Sequence, residues 1–187
     1  MFRSSTRASS IRSGGGSEAM EGALLSNVAG ALILSRGGSE IGAAAARVEA
    51  LAGLFCEVLV VGEGAEEVDA LGSVKRLSSR GNEVALLRAA LELAEAERVL
   101  VLPASREDSW DDLLIGLAAW PEQSATVVTA TGEASTPELA AIYLRGEALD
   151  VLTAGATADI EMLIERLGGE WASLTALGLG DLLAEAC

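Results

Sequence analysis

Three short apolar runs, each stopped by glycine or proline, limit what this chain can become. Residues 31–34 (A-L-I-L) precede Ser35-Arg36-Gly37-Gly38, residues 57–61 (E-V-L-V-V) are closed by Gly62 and Gly64, and residues 98–102 (R-V-L-V-L) stop at Pro103. Runs this short and this apolar make buried strands of a parallel sheet. Between them the period changes. Residues 43–55 carry Val48, Leu51, Ala52 and Phe55 at helical spacing, with Gly53 weakening the last turn. Residues 83–97 give the clearest helix: Leu86, Leu87, Ala90, Leu91 and Ala94 face one way, with Arg88, Glu92 and Glu95 outside. Strands alternating with helical crossovers predict an α/β three-layer domain, its sheet mostly parallel.

The remaining pieces fit that plan. Residues 66–71 suggest a short helix, 74–77 a brief edge strand and 78–82 a polar loop. Ser109 caps a predicted helix with Trp110, Leu113, Leu114 and Leu117 inward; Asp111 and Asp112, in its first turn, suit the helix dipole and face solvent. Residues 125–131 form a strand, and 139–144 return as a strand antiparallel to it. Helices over 146–153 and 159–167, an extended piece holding Trp171 and a last helix over 181–185 complete the order; no internal repeat is found. Residues 1–22 hold six serines, three arginines and Gly14-Gly15-Gly16, which cannot build a core. They are expected to be a disordered tail before a domain over 23–187. Their Arg/Ser content resembles a transit peptide with a thin apolar face, and an added leader or an over-extended start ahead of Met20 is the preferred reading.

Composition narrows the chemistry. The 187 residues carry a formal net charge of −15, a field that repels nucleic acid and anionic membrane surfaces. No apolar run approaches the length needed to span a bilayer, so a soluble, cytoplasmic protein is expected. There is no histidine, which excludes histidine-based triads, bases and metal ligands, and Lys75 is the one lysine. Cys56 and Cys187 are too few for a zinc site or disulfide framework and are expected to be reduced.

The stretch 29–42 (A-G-A-L-I-L-S-R-G-G-S-E-I-G) is where chemistry concentrates. A strand, a glycine loop and a helix start, with Ser39 at the predicted N-cap, form the geometry that cradles phosphate on free N–H groups. The same residues also serve as an ordinary turn from strand to helix, and the loop alone leaves both readings open.

Longer blocks carry a resemblance. Leu34-Ser35-Arg36-Gly37-Gly38-Ser39-Glu40-Ile41-Gly42 is similar to the L-A-G-G-x-S-x-R-M-G-x-x-K loop of MobA-like NTP transferases, the molybdenum cofactor guanylyltransferase family, but one residue shorter. Residues 57–62 resemble that family's second strand. Residues 81–91 (G-N-E-V-A-L-L-R-A-A-L) resemble its G-P-L-A-G-L-x-A-A-L segment. Thr136-Pro137-Glu138-Leu139 through Tyr143 and Arg145 resemble P-L-x-A-x-Y-x-R, and 152–167 its last helices. The likeness covers about residues 30–184. It implies a Rossmann-like nucleotidyltransferase fold and, for the family, transfer of GMP from GTP to molybdopterin with Mg²⁺.

The catalytic positions depart from that pattern. Residues 43–46, all alanine, stand where the family's lysine should follow, Ser105 takes the place of the metal-holding aspartate, and the terminal N-V-N-T-P-E-D-L is reduced to Leu179-Gly180-Asp181-Leu182. Nucleotidyl transfer depends on positioning and charge neutralisation, and a neutral serine supplies no carboxylate for Mg²⁺. Glu107 and Asp108 are read as surface acids. The resemblance therefore implies a relative with lost or weakened catalysis, no catalytic residue assigned and no metal ligand, whose vestigial nucleotide-binding loop is Leu34, Ser35, Arg36, Gly37, Gly38 and Ser39. No cofactor is expected, with GTP and Mg²⁺ only if activity is retained. The partners implied are a nucleotide or molybdopterin and a molybdoenzyme-maturation protein. Alternatives are an active guanylyltransferase with relocated groups and an unrelated α/β ligand-binding domain. Arg36 could fill the loop's pocket or lend it a fixed charge. With Lys75, Arg76 and Arg80 it could form a basic rim, although ordinary surface charge is expected for three of the four.

Overall fold

A computed structural model describes residues 27–69, 73–104, 126–130, 141–155 and 159–173. Strand β1 (Val28–Leu34) is buried along its whole length. A 3-10 turn (Gly37–Glu40) leads into helix α1 (Ile41–Ala52), and β2 (Glu57–Gly62) follows. A second 3-10 turn (Ala65–Glu67) precedes β3 (Val74–Leu77), α2 (Glu83–Leu93) and β4 (Arg98–Pro103). Then come β5 (Thr126–Ala130), β6 (Ala141–Leu144), α3 (Arg145–Thr153), α4 (Ile160–Arg166) and β7 (Glu170–Ser173).

The seven strands form one sheet in the order β3-β2-β1-β4-β6-β5-β7. Strands β3, β2, β1 and β4 run parallel, β6 is antiparallel to both β4 and β5, and β5 pairs β7 in parallel. One reversed strand in a mostly parallel sheet is the expected class. Side chains alternate across it. Val28, Leu32, Leu34, Val58, Val60, Leu100 and Leu102 pack with Ala44, Val48 and Leu51 of α1. Ala29, Ala31, Ile33, Leu59, Val61, Val99 and Val101 pack with Leu87, Ala90 and Leu91 of α2, Leu152 of α3 and Leu163 of α4. A helix layer on each face explains why β1, β2 and β4 carry continuous apolar runs and not alternating ones, while the edge strand β3 carries Lys75 and Arg76. Among the described residues no helix is long and apolar enough to cross a membrane.

Several helix readings differ from expectation. Where a short helix over 66–71 is expected, Ala65–Glu67 make a 3-10 turn and Val68 is already extended, and α1 ends at Ala52, three residues before 55, where Gly53 follows. Ser39 does not cap α1: its Oγ donates to the Arg36 carbonyl at 3.2 Å inside the 3-10 turn, and Glu40 stands at the cap position without a side-chain cap bond. Helix α2 stops at Leu93, four residues before the predicted end, because Ala94 turns extended. The Glu57 carboxylate then receives the Glu95 and Ala96 N–H groups at 2.9 and 3.4 Å, so a distant strand satisfies amides that the helix releases. At the other end Asn82 caps α2, its side chain accepting from Ala85 N at 3.0 Å. The predicted tail, the helix at 109–117 with Trp110, Asp111, Asp112 and Leu114, the last helix at 181–185, Cys187, Ser105, Glu107 and Asp108 lie outside the described residues.

Candidate functional site: a cleft at the carboxyl edge

Parallel pairing brings the ends of β1, β2 and β3 to one edge, with Leu34 opposite Gly62 and Val61 opposite Leu77. Open α/β sheets take ligands at this edge, beside the point where strand order reverses. Here β1 lies between β2 and β4, so its outgoing loop occupies that reversal. The loop forms one wall of a cleft of about 550 Å³, lined by Leu34, Ser35, Arg36, Gly37 and Gly38 on one side. Glu63, after β2, and Ser79, Arg80, Gly81 and Leu86, after β3, form the other. That volume lies within the range of small-molecule sites.

Backbone contacts shape the floor. Gly62 has φ 138°, and a Cβ there would lie 2.5 Å from the Leu34 carbonyl oxygen, so only glycine lets β2 end this close to the loop. The Ser79 N–H donates to the Gly62 carbonyl at 3.4 Å, drawing the chain after β3 toward β2. Gly37, at φ 63°, turns the loop after Arg36.

Charge in the cleft is mixed. Arg80 Nη2 meets Glu63 Oε1 at 2.6 Å, both side chains well exposed, and Arg36 is exposed on the facing wall. The expected loop residues are therefore gathered at the ligand edge, except Ser39, which does not line the cleft. The basic rim is only half present. Lys75 bonds Glu57 and also Glu95, the latter at 2.7 Å, around a second cleft lined by Cys56, Glu57, Ser73, Val74, Lys75, Glu95 and Ala96. Arg76 Nε donates to the Val68 carbonyl at 3.0 Å. Strand direction separates these groups: Glu57 opens β2 at the amino edge, while Arg80 follows β3 at the carboxyl edge.

The amino edge is a coupled charge cluster. Burial tends to raise the Glu57 pKa, but the Lys75 hydrogen bond and the Glu95 and Ala96 amides overcome it and hold the carboxyl below its usual range. Hydrogen bonds to Glu57 and Glu95 raise Lys75 in return. Burial, then the neighbouring Glu57 charge, raises the Cys56 thiol above its ordinary value, its own backbone N–H opposing them; Cys56 is a free thiol whose Sγ lies 3.2 Å from the Val28 carbonyl. A raised pKa disfavours the nucleophilic thiolate.

No group of three carboxylate, cysteine or histidine side chains converges among the described residues, and the carboxylate lining the cleft, Glu63, is engaged by Arg80. One buried acid beside the loop that sequence reading passed over is Glu40. It is 3% exposed, and its Oε2 accepts the Arg36 N–H at 2.7 Å. Its only sequence signal is an acid three residues past an arginine-glycine step, which is too common to single out.

No family model matches the chain, and no curated protein matches it. Solved structures do. It superposes on 4-diphosphocytidyl-2C-methyl-D-erythritol synthase from Anaerococcus prevotii with a TM-score of 0.61 and 10% identity, covering 79% of this chain and 89% of that one. A nucleotidyl transferase from Methanothermobacter gives 0.60 at 18% identity, over 78% and 87%. The 2-C-methyl-D-erythritol 4-phosphate cytidylyltransferase of Thermus thermophilus gives 0.51 at 18%, over 83% and 98%. At these identities the likeness concerns architecture, and the chain has the Rossmann-like fold of the nucleotidyltransferases.

Proposed function

We propose that this chain is a MobA-like nucleotidyltransferase homologue that holds a guanine nucleotide in the carboxyl-edge cleft. In this reading GMP transfer to molybdopterin is lost or sharply weakened, and the protein serves as a binding or assembly component of molybdenum cofactor maturation. The observation that carries it is the pairing of the β1 loop with Arg80 across one cleft at the strand-order reversal. Arg36 and Arg80 supply fixed positive charge there, suited to a phosphate through charge-assisted hydrogen bonds. The weakened chemistry follows from Ser105 and from alanines at 43–46, which remove a carboxylate and an ammonium from the positions that the family resemblance assigns to them. Each charge-stabilising group of this kind is worth about two to three orders of magnitude in rate.

Calorimetric titration of the full chain with GMP and with GTP, each with and without Mg²⁺, tests this. Binding is expected to change less than about twofold on adding Mg²⁺, and Arg80→Ala is expected to weaken it about tenfold, the size of one charge-assisted contact. CTP belongs in the same experiment, because two of the superposed proteins are cytidylyltransferases. Preference for CTP would move the assignment to that branch. GTP-dependent conversion of molybdopterin at enzymatic rates would establish an active guanylyltransferase instead.

A further inference from the structure

The glycine loop already contains an anion. Arg36 has φ −106° and ψ 11°, and Gly37 follows at φ 63°. A turn residue in the bridge region followed by a left-handed one turns successive peptide N–H groups to the same side, making a small concavity that binds anions. The Arg36 N–H in this concavity is 2.7 Å from Glu40 Oε2. This is the distance of a charge-assisted bond. Glu40 is almost fully buried, and its other oxygen, Oε1, has no hydrogen-bond partner among the described residues. A buried carboxylate with one oxygen unpaired is costly unless something holds it there. The 3-10 turn Gly37–Glu40 does so, bringing residue 40 back over residue 36.

We infer that Glu40 is a specificity-determining residue: it occupies the loop's anion concavity and turns the cleft against ligands that place a polyphosphate on the loop backbone. Phosphate is then held only through the exposed Arg36 and Arg80 side chains, which favours ligands with a single phosphate over those with a di- or triphosphate. This inference rests on the cleft being the ligand site described above, and it names which ligands that site rejects. Glu40→Gln keeps the volume and removes the charge, while Glu40→Ala empties the concavity.

Sodium pyrophosphate is the probe, titrated into the full-length protein at constant ionic strength beside inorganic phosphate and followed by calorimetry. In the unmodified protein pyrophosphate is expected to bind no more tightly than inorganic phosphate, because Glu40 holds the Arg36 N–H. Both variants are expected to bind pyrophosphate at least about tenfold more tightly, the worth of one charge-assisted hydrogen bond. A folded Glu40→Gln protein with unchanged affinity would overturn the inference. So would an unmodified protein that binds pyrophosphate clearly more tightly than inorganic phosphate, a comparison that decides the matter even if both variants unfold. If GMP, with its single phosphate, fails to bind the unmodified protein while Glu40→Gln gains pyrophosphate, the guanine-nucleotide assignment falls and the role of Glu40 stands.

Discussion

The two edges of the sheet use charge differently. At the amino edge Glu57 is 11% exposed and receives Lys75 together with two backbone amides released by α2. At the carboxyl edge Glu63 and Arg80 are 56% and 82% exposed, and the one bond between them stands in solvent. An exposed pair of that kind contributes at most about 1 kcal/mol, so a ligand anion can exchange with Glu63 at little cost. Glu57 cannot be exchanged so easily, because its loss leaves two amides without their acceptor. One edge fastens α2 to the sheet, and the other leaves its cations available.

The strongest test of this contrast lies in the backbone under the cleft. Gly62→Ala should destabilise the fold by about 3 kcal/mol or more in urea unfolding, since the new Cβ meets the Leu34 backbone at 2.5 Å in a conformation that L-residues avoid. A loss below about 1 kcal/mol would show that the cleft floor yields, and that the site is softer than its geometry indicates. Glu57→Ala should cost about 2 kcal/mol, the usual penalty for stranding partly buried donors. An effect no larger than that of Glu63→Ala would erase the distinction between the edges.

The pH dependence sharpens it further. Because the folded pKa of Glu57 is lowered, its contribution is complete above the unfolded value of about 4.3 and is lost as pH falls through the folded one. Glu57→Gln should flatten the stability profile below about pH 4.3. Lys75 is shifted upward, so its contribution persists until pH rises beyond the ordinary lysine range. The smallest effect is expected for Arg80→Ala, within about 0.5 kcal/mol in stability. On the proposed reading of the cleft, its consequence should appear in ligand affinity alone.

Much of the scaffold was legible from period and punctuation. The edge strand Val74–Leu77 was placed to the residue, and the reversed β6 falls within the run 139–144 expected to return antiparallel to its predecessor. What escaped were contacts between residues far apart in the chain. The early end of α2 depends on Glu57, nearly forty residues away, taking the Glu95 and Ala96 amides. No local pattern reports that. The rim failed for a similar reason: Lys75 and Arg80 are five residues apart, but strand β3 carries them to opposite edges. At the loop Ser39 was the better cap by propensity, yet its hydroxyl serves the Arg36 carbonyl and Glu40 takes the Arg36 N–H. Local hydrogen bonds compete with capping, and composition does not decide between them.

The position of β6 also bears on how the chain assembles. Strands β1 to β4 come from one continuous stretch, Val28 to Pro103, and make four adjacent places in the sheet. The later strands add outward from β4 in the order β6, β5, β7, and β5 reaches the sheet only through β6. A chain emerging from the ribosome can therefore complete the ligand-edge half before the rest has been made, with the open side of β4 as the template on which β6 docks. Pulse-labelling hydrogen exchange would show β1, β2 and β4 amides protected ahead of those in β5 and β7; simultaneous protection would mean the sheet closes in one step.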